Sequence, residues 1–287
     1  SIDDIIKILG KNAIIFVDIL SDNIWKDAKR IFKVCKKCEA ITIAIDSMPP
    51  TNLASLNLEK IYWPQILVTP YLHTEKLILE NYARTWFQGP QFMWQVEKNS
   101  KKKLHDLCKP NVLISCGGTD RDGFSTLIVT ELMDIDPHRF QITIAIGPFF
   151  EDKHIAELKN LAEKNSNINI LENTRNLKEI LKKSDYLIGK LGTLRYSAMK
   201  FGVWGVYLNP EKQYEAYANL LVSDGVCDIF PSYGNNALRE FKIKLKEIVS
   251  ERPLVLEQKR STLLKKFEPG SFNNILQEIK LLQVEKN

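Results

Sequence analysis

Two glycine-bearing segments have the residue types and spacing for phosphate chemistry. The first is Gly117-Gly118-Thr119-Asp120 and the second is Gly189-Lys190-Leu191-Gly192-Thr193. Glycine lets backbone N–H groups approach a phosphate closely, and a following helix adds a field that favours an anion. Thr119 could add a hydroxyl donor. The competing explanation is steric, because a strand-to-helix turn uses glycine for its own geometry. Gln213, just after the next apolar run, is a third candidate. Asp18 and Asp46 close two earlier apolar runs. They would either face a cleft as a carboxylate pair or cap the helix or turn that follows.

Other reactive types lack a supporting pattern. Cys35 and Cys38 have a metal-like or redox-like spacing, but no second pair lies nearby and His73, His105, His138 and His154 are scattered. Thiols three apart on an amphipathic helix read as packing residues, with a metal or redox module as the alternative, so no metal is expected. His138 and His154 read as surface positions without a base–orienter partner. Trp63, Trp86, Trp94 and Trp204 read as core or interface, with Trp86 to Trp94 as an alternative cleft wall.

The chain that must position these groups has 287 residues, 44% of them hydrophobic and 26% charged, with a net charge of +5. That composition excludes disorder, coiled coil and collagen-like repeats. The length predicts two domains, at roughly 100–200 residues each. No apolar run reaches the roughly 18–20 residues that cross a bilayer, and Ser1–Lys7 has no signal-peptide pattern, so a soluble cytoplasmic protein is expected. Five cysteines, odd in number and thinly spread, suit a reducing compartment. The small positive surplus does not point to nucleic acid, and Lys98, Lys101, Lys102 and Lys103 read as a solvated linker.

Strand-like and helix-like segments alternate along the chain. Ala13–Val17, Ile41–Ile45, Gln65–Thr69 and Thr85–Phe87 are short apolar runs, and Ile24–Val34 carries apolar residues at helical spacing. The polar stretch Glu97–Asn111 marks the domain connection, dividing the chain at 1–108 and 109–287. The alternation then restarts. Strands are expected at Val112–Cys116, Gln141–Ile146, Ile168–Leu171, Tyr186–Ile188 and Val203–Leu208. Helices are expected at Ser125–Met133, Glu151–Lys164, Leu177–Lys183, Leu194–Lys200 and near Tyr214–Val222. Such a series predicts an open, mostly parallel sheet covered on both sides, with both glycine loops at the carboxyl ends of strands, where ligands settle. The helices Leu254–Phe267 and Phe272–Leu282 close the chain, and one of them is able to fold back on the first domain.

This order of elements resembles the GT-B nucleotide-sugar enzymes. It is most similar to the UDP-sugar hydrolases of pseudaminic acid biosynthesis and the related spore-coat polysaccharide proteins. The resemblance rests on Leu113–Asp120, Ile142–Pro148, Leu177–Gly189, Gly192-Thr193, Gly202, Glu211 and Gln213. In the first half it rests on Ile15–Asp18, Ile43–Asp46 and Gly89–Phe92. The N-acetylglucosamine transferase of peptidoglycan synthesis is a more distant relative with the same architecture. The resemblance implies two Rossmann-like β/α/β domains, the N-terminal one incomplete, and a UDP-sugar or UDP partner without a cofactor. It places Gly117, Gly118 and Thr119 along the cleft and Gly189, Gly192 and Thr193 at the diphosphate. It puts Gln213 near the sugar or diphosphate, with Asp18, Asp46, Lys190, Ser197 and Lys212 as further cleft positions. In such enzymes water attacks the anomeric carbon and UDP leaves, stabilised by backbone amides.

The chain departs from that pattern in several places. It starts at what looks like the fourth strand of the family's first domain, so the histidine expected as general acid or base has no equivalent and no catalytic residue is assigned. The ribose-binding glutamate is replaced by Ser197, which cannot make a bidentate contact. A family asparagine is replaced by Lys212, and Lys190-Leu191 interrupts the usual small-residue loop. A UDP-sugar hydrolase or related glycosyltransferase therefore stands beside a non-catalytic homologue that keeps the scaffold for binding. A shortened first sheet would leave an open edge for a second subunit to cover, as in a homodimer.

Overall fold

The structure, a computed structural model, describes residues 2–10, 13–19, 25–46, 58–72, 82–89, 92, 109–233, 237–266 and 272–286. His73, Trp94, His105, Cys108 and residues 97–108 of the expected connection Glu97–Asn111, with its lysine cluster, lie outside the described residues. The chain divides into two compact units, Ser1–Val96 with Glu268–Asn287, and Glu97–Phe267.

The first unit holds a four-stranded parallel sheet in the order β1 (Ile14–Ile19), β2 (Ile41–Asp46), β3 (Ile66–Thr69) and β4 (Thr85–Gln88). Helix α1 (Ile2–Leu9) precedes β1, and α2 (Trp25–Lys37) links β1 to β2. All six residues of β2 are buried, as expected for an inner strand covered on both faces. Helix α2 covers one face of this sheet. On that face Ala28 and Phe32 of α2 pack against Val17, Ala44 and Leu67. The opposite face presents Ile41, Ile43, Ile45, Ile66 and Val68 and needs cover from elsewhere. The last helix of the chain, α10 (Phe272–Lys286), supplies it through Ile275, Ile279 and Leu282. This is why 268–287 group with the first unit although the expected second domain is 109–287, and α10 is the terminal helix that folds back on the first domain. Cys35 is buried at the base of α2 among Ile6, Ala13 and Ala40, with Cys38 packed beside it.

The second unit holds a six-stranded sheet, entirely parallel. Its strands are β5 (Asn111–Ser115), β6 (Gln141–Ile146), β7 (Ile168–Glu172), β8 (Tyr186–Lys190), β9 (Trp204–Asn209) and β10 (Cys227–Pro231). Helices alternate with them: α3 (Phe124–Ile135), α4 (Asp152–Lys164), α5 (Leu177–Lys183), α6 (Leu194–Lys200), α7 (Glu215–Ser223) and α8 (Ala237–Ser250). Helix α9 (Pro253–Lys266) packs on α6 and β9. The spatial order is β10-β9-β8-β5-β6-β7. Numbered within the unit, this is 6-5-4-1-2-3, the doubly wound arrangement whose chain reverses direction between its first and fourth strands. Burial follows that order. The inner strand β9 is buried throughout, whereas the edge strand β10 is mostly half-exposed. The architecture is therefore α/β and GT-B-like, with two parallel, Rossmann-like domains of four and six described strands.

Candidate anion-binding site

Strands β5 and β8 are neighbours, paired in parallel with Ser115 beside Gly189. They are also the strands between which the sheet's winding reverses, the place where doubly wound folds open a crevice at the carboxyl edge. The two glycine segments emerge there side by side. Within the first, Gly117 has φ +87°, a conformation that favours glycine. Gly117 and Gly118 are exposed and Thr119 is half-buried. Within the second, Gly189 and Leu191 are buried, Lys190 and Gly192 are half-buried and Thr193 is exposed. Among the described residues, the amides of Gly117, Gly118, Thr119, Gly192, Thr193 and Leu194 have no hydrogen-bond acceptor.

The glycines of the two segments serve different purposes. Gly189 is a buried residue of β8, and a Cβ on it would lie 2.0 Å from the Ser115 carbonyl oxygen, so the close approach of β5 demands glycine. Gly118 and Gly192 have no such reason. Neither has φ in the left-handed region, and the nearest atom to an added Cβ is 3.8 Å away in both. Leu191, only 5% exposed, turns its side chain into the core and donates its amide to the Leu208 carbonyl at 2.8 Å, which extends β8 along β9.

The helix that follows the first bend behaves differently from the sequence expectation. Asp120, 4% exposed, accepts the Phe124 amide at 2.9 Å through Oδ1 and the Ser125 amide at 2.8 Å through Oδ2. Its carboxylate already satisfies the start of α3 and offsets the field there, so loop amides are the donors that remain. Cys116, at the exit of β5, is buried and its thiol is pushed up to about 12, first by desolvation and then by the nearby Asp120 charge. A buried thiol held protonated in this way is no nucleophile.

Beside β8, strand β9 ends in Asn209, whose Oδ1 accepts the Glu211 amide at 3.2 Å. A 3-10 turn at Lys212–Tyr214 follows, with Lys212 and Gln213 exposed. Gln213 donates through Nε2 to Glu211 Oε2 at 2.7 Å. Lys190 is half-buried at the end of β8, and Ser197 is buried in α6. Segments 117–119, 190–193 and 211–213 thus stand at the carboxyl ends of three adjacent strands. Asp18 and Asp46 do not form a carboxylate pair. Asp18 is registered with Ile45 and Asp46 with Ile19, so the two carboxylates lie on opposite faces of the first sheet, Asp18 exposed and Asp46 buried.

Several neighbours escape sequence reading. The Gly147–Phe150 loop after β6 lies against the first bend, where Phe149 donates its amide to the Gly118 carbonyl at 2.9 Å while its ring stands 74% exposed. The Gly-Pro after a strand marks the turn but not its neighbour. Arg195, at the start of α6, is fully buried and donates to the Gly192 carbonyl. Nothing in a short helical pattern distinguishes it from a surface arginine. The half-buried ring of His154 packs against the Gly123 backbone, within 3.6 Å of Glu157. Trp86 and Trp204 are packing residues whose indoles donate to Thr69 Oγ1 at 2.9 Å and to Asp228 Oδ2 at 2.7 Å. Among the described residues no group of His, Cys, Asp or Glu is arranged to hold a metal ion, and no helix is long and apolar enough to cross a membrane.

Neither a protein-family model nor a curated protein sequence matches the chain. Solved structures do resemble it in fold. The UDP-GlcNAc 2-epimerase from Neisseria meningitidis bound to UDP-GlcNAc aligns with a TM-score of 0.60 at 13% identity, over 100% of this chain and 80% of that one. The S. aureus MnaA–UDP complex aligns at 0.63 and 10% identity, over 97% and 80%. The spinosyn forosaminyltransferase SpnP aligns at 0.56 and 14% identity, over 98% and 84%. At these identities the likeness establishes the two-domain GT-B architecture.

Proposed function

We propose that the chain is a nucleotide-sugar-binding enzyme of the GT-B class that holds the diphosphate of a UDP-sugar on the bends at 117–119 and 192–194. The observation that carries this reading is the pair Gly118 and Gly192, glycines with open space and no left-handed φ, set among six amides without acceptors among the described residues. A glycine without an internal reason suits a backbone that a ligand must approach closely. Amides aimed at a diphosphate stabilise it most when it departs with full charge, which favours cleavage at the anomeric carbon. Lys190 and Lys212 add positive charge, and Gln213 is offered toward the sugar or diphosphate.

Within that class the reading closest to the sequence is a UDP-sugar hydrolase of surface-glycan, pseudaminic-type biosynthesis, acting in the cytoplasm with water as the attacking group. A glycosyltransferase is the second reading, supported by a transferase among the structures of like fold. With Ser197 in place of a carboxylate, the ribose is held less firmly than in the family it resembles, and no side chain is assigned as general base. A UDP titration followed by thermal unfolding tests the class. The midpoint is expected to rise with UDP in the wild type, less so in Thr193→Ala, and not at all in Gly192→Asp. An unchanged wild-type midpoint at millimolar UDP would contradict the proposal. UDP release from a purified nucleotide sugar without an acceptor separates hydrolase from transferase, and its absence with and without acceptors favours a binding protein.

A further inference from the structure

A charged side chain with no exposed surface lies directly behind the second bend. Arg195 is the second residue of α6 and is 0% exposed. Its Nη1 donates to the Gly192 carbonyl at 2.6 Å, and its Nη2 donates to the Tyr196 hydroxyl. The guanidinium carbon sits 4.0 Å from the Tyr196 ring centre and 5.2 Å from that of Tyr217. The two tyrosine hydroxyls are 3.2 Å apart. A guanidinium stays protonated in proteins, so a permanent positive charge is held out of water at this point. Desolvating such a charge is costly, and the contacts that repay it belong to the bend, to Tyr196 of α6 and to α7, the helix after the Gln213 turn.

The hydrogen bond to Gly192 has a geometric consequence. In a planar trans peptide the carbonyl and the next N–H point in opposite directions. The Gly192 oxygen is fixed both by this guanidinium and, at 3.3 Å, by the Arg195 backbone amide, which together turn the Thr193 N–H away from Arg195. Among the described residues that amide has no acceptor, and Thr193 is exposed. Through Tyr217 the same cluster ties the bend to the segment that carries Lys212 and Gln213.

We propose that Arg195 is the positioning residue of the anion site: it sets the Gly192–Thr193 peptide with its N–H outward and places a buried positive charge behind it, so that affinity for a diphosphate depends on a side chain the ligand never touches. The proposal rests on the reading of the bends as a phosphate site. Its signature is selective, because the diphosphate part of a ligand should feel the loss and the nucleoside part should not.

The test is calorimetric titration of the full chain with UDP, inorganic pyrophosphate and uridine, for the wild type, Arg195→Met and Arg195→Lys. Arg195→Met is expected to weaken UDP and pyrophosphate at least tenfold while uridine binds as before. Arg195→Lys keeps the charge but cannot hold both Gly192 and Tyr196, so an intermediate loss is expected, again sparing uridine. Should Arg195→Met fail to fold, Arg195→Lys decides. A folded variant that binds UDP as tightly as the wild type, or that loses uridine and UDP in equal proportion, overturns the proposal. A wild type that binds neither UDP nor pyrophosphate instead overturns the phosphate site itself.

Discussion

Gly189 and Gly192 are three residues apart and answer to different constraints. The first makes room for the Ser115 carbonyl across the sheet, whereas the second has space around it and no strained backbone. Their alanine variants should separate accordingly. Gly189→Ala forces overlap with backbone that cannot yield and is expected to cost about 3 kcal/mol or more of stability. Gly192→Ala should stay within about 0.5 kcal/mol of the wild type, as an open position allows, yet weaken UDP binding. Urea unfolding beside a UDP titration reads both, and equal destabilisation by the two would erase the distinction. The pattern of glycines was visible in the sequence, but the division of labour was not, because each Gly reads alike until its neighbours across the sheet are known. Asp120 is a similar case. It was legible as part of the loop, but not as the carboxylate that already occupies the start of α3.

At the scale of elements, the inner strands were the most legible. β2, β5, β8 and β9 are mostly apolar runs because both of their faces are covered. β10 was missed, since Asp228 and the terminal Pro231 disguise a half-exposed edge strand. The sequence leaves open which of the two C-terminal helices folds back on the first domain, because amphipathic periodicity shows that a helix has a buried face without showing what covers it. The structure supplies that answer by seating α10 on the face opposite α2. Ile279, buried in that contact, is the residue to truncate. Ile279→Ala is expected to cost about 2–5 kcal/mol, as for other large-to-small core changes. Hydrogen exchange should show the loss in β2, β3 and α10 while β5 and β8 keep their protection. Uniform loss across both sheets would contradict the assignment of α10 to the first unit.

For the whole molecule, the candidate site is a product of winding order more than of any motif. The first sheet runs β1-β2-β3-β4 without a reversal among its described strands, and the second reverses between β5 and β8. Only the second therefore offers a switch-point crevice among the described residues, and both bends open there. The most direct measurement is an amide-resolved NMR titration of the full chain with UDP. Saturable shifts are expected together at Gly117, Gly118, Thr119, Gly192, Thr193 and Leu194, with the first sheet's amides little changed. Shifts confined to other segments, or none at millimolar UDP, would contradict the account at its centre.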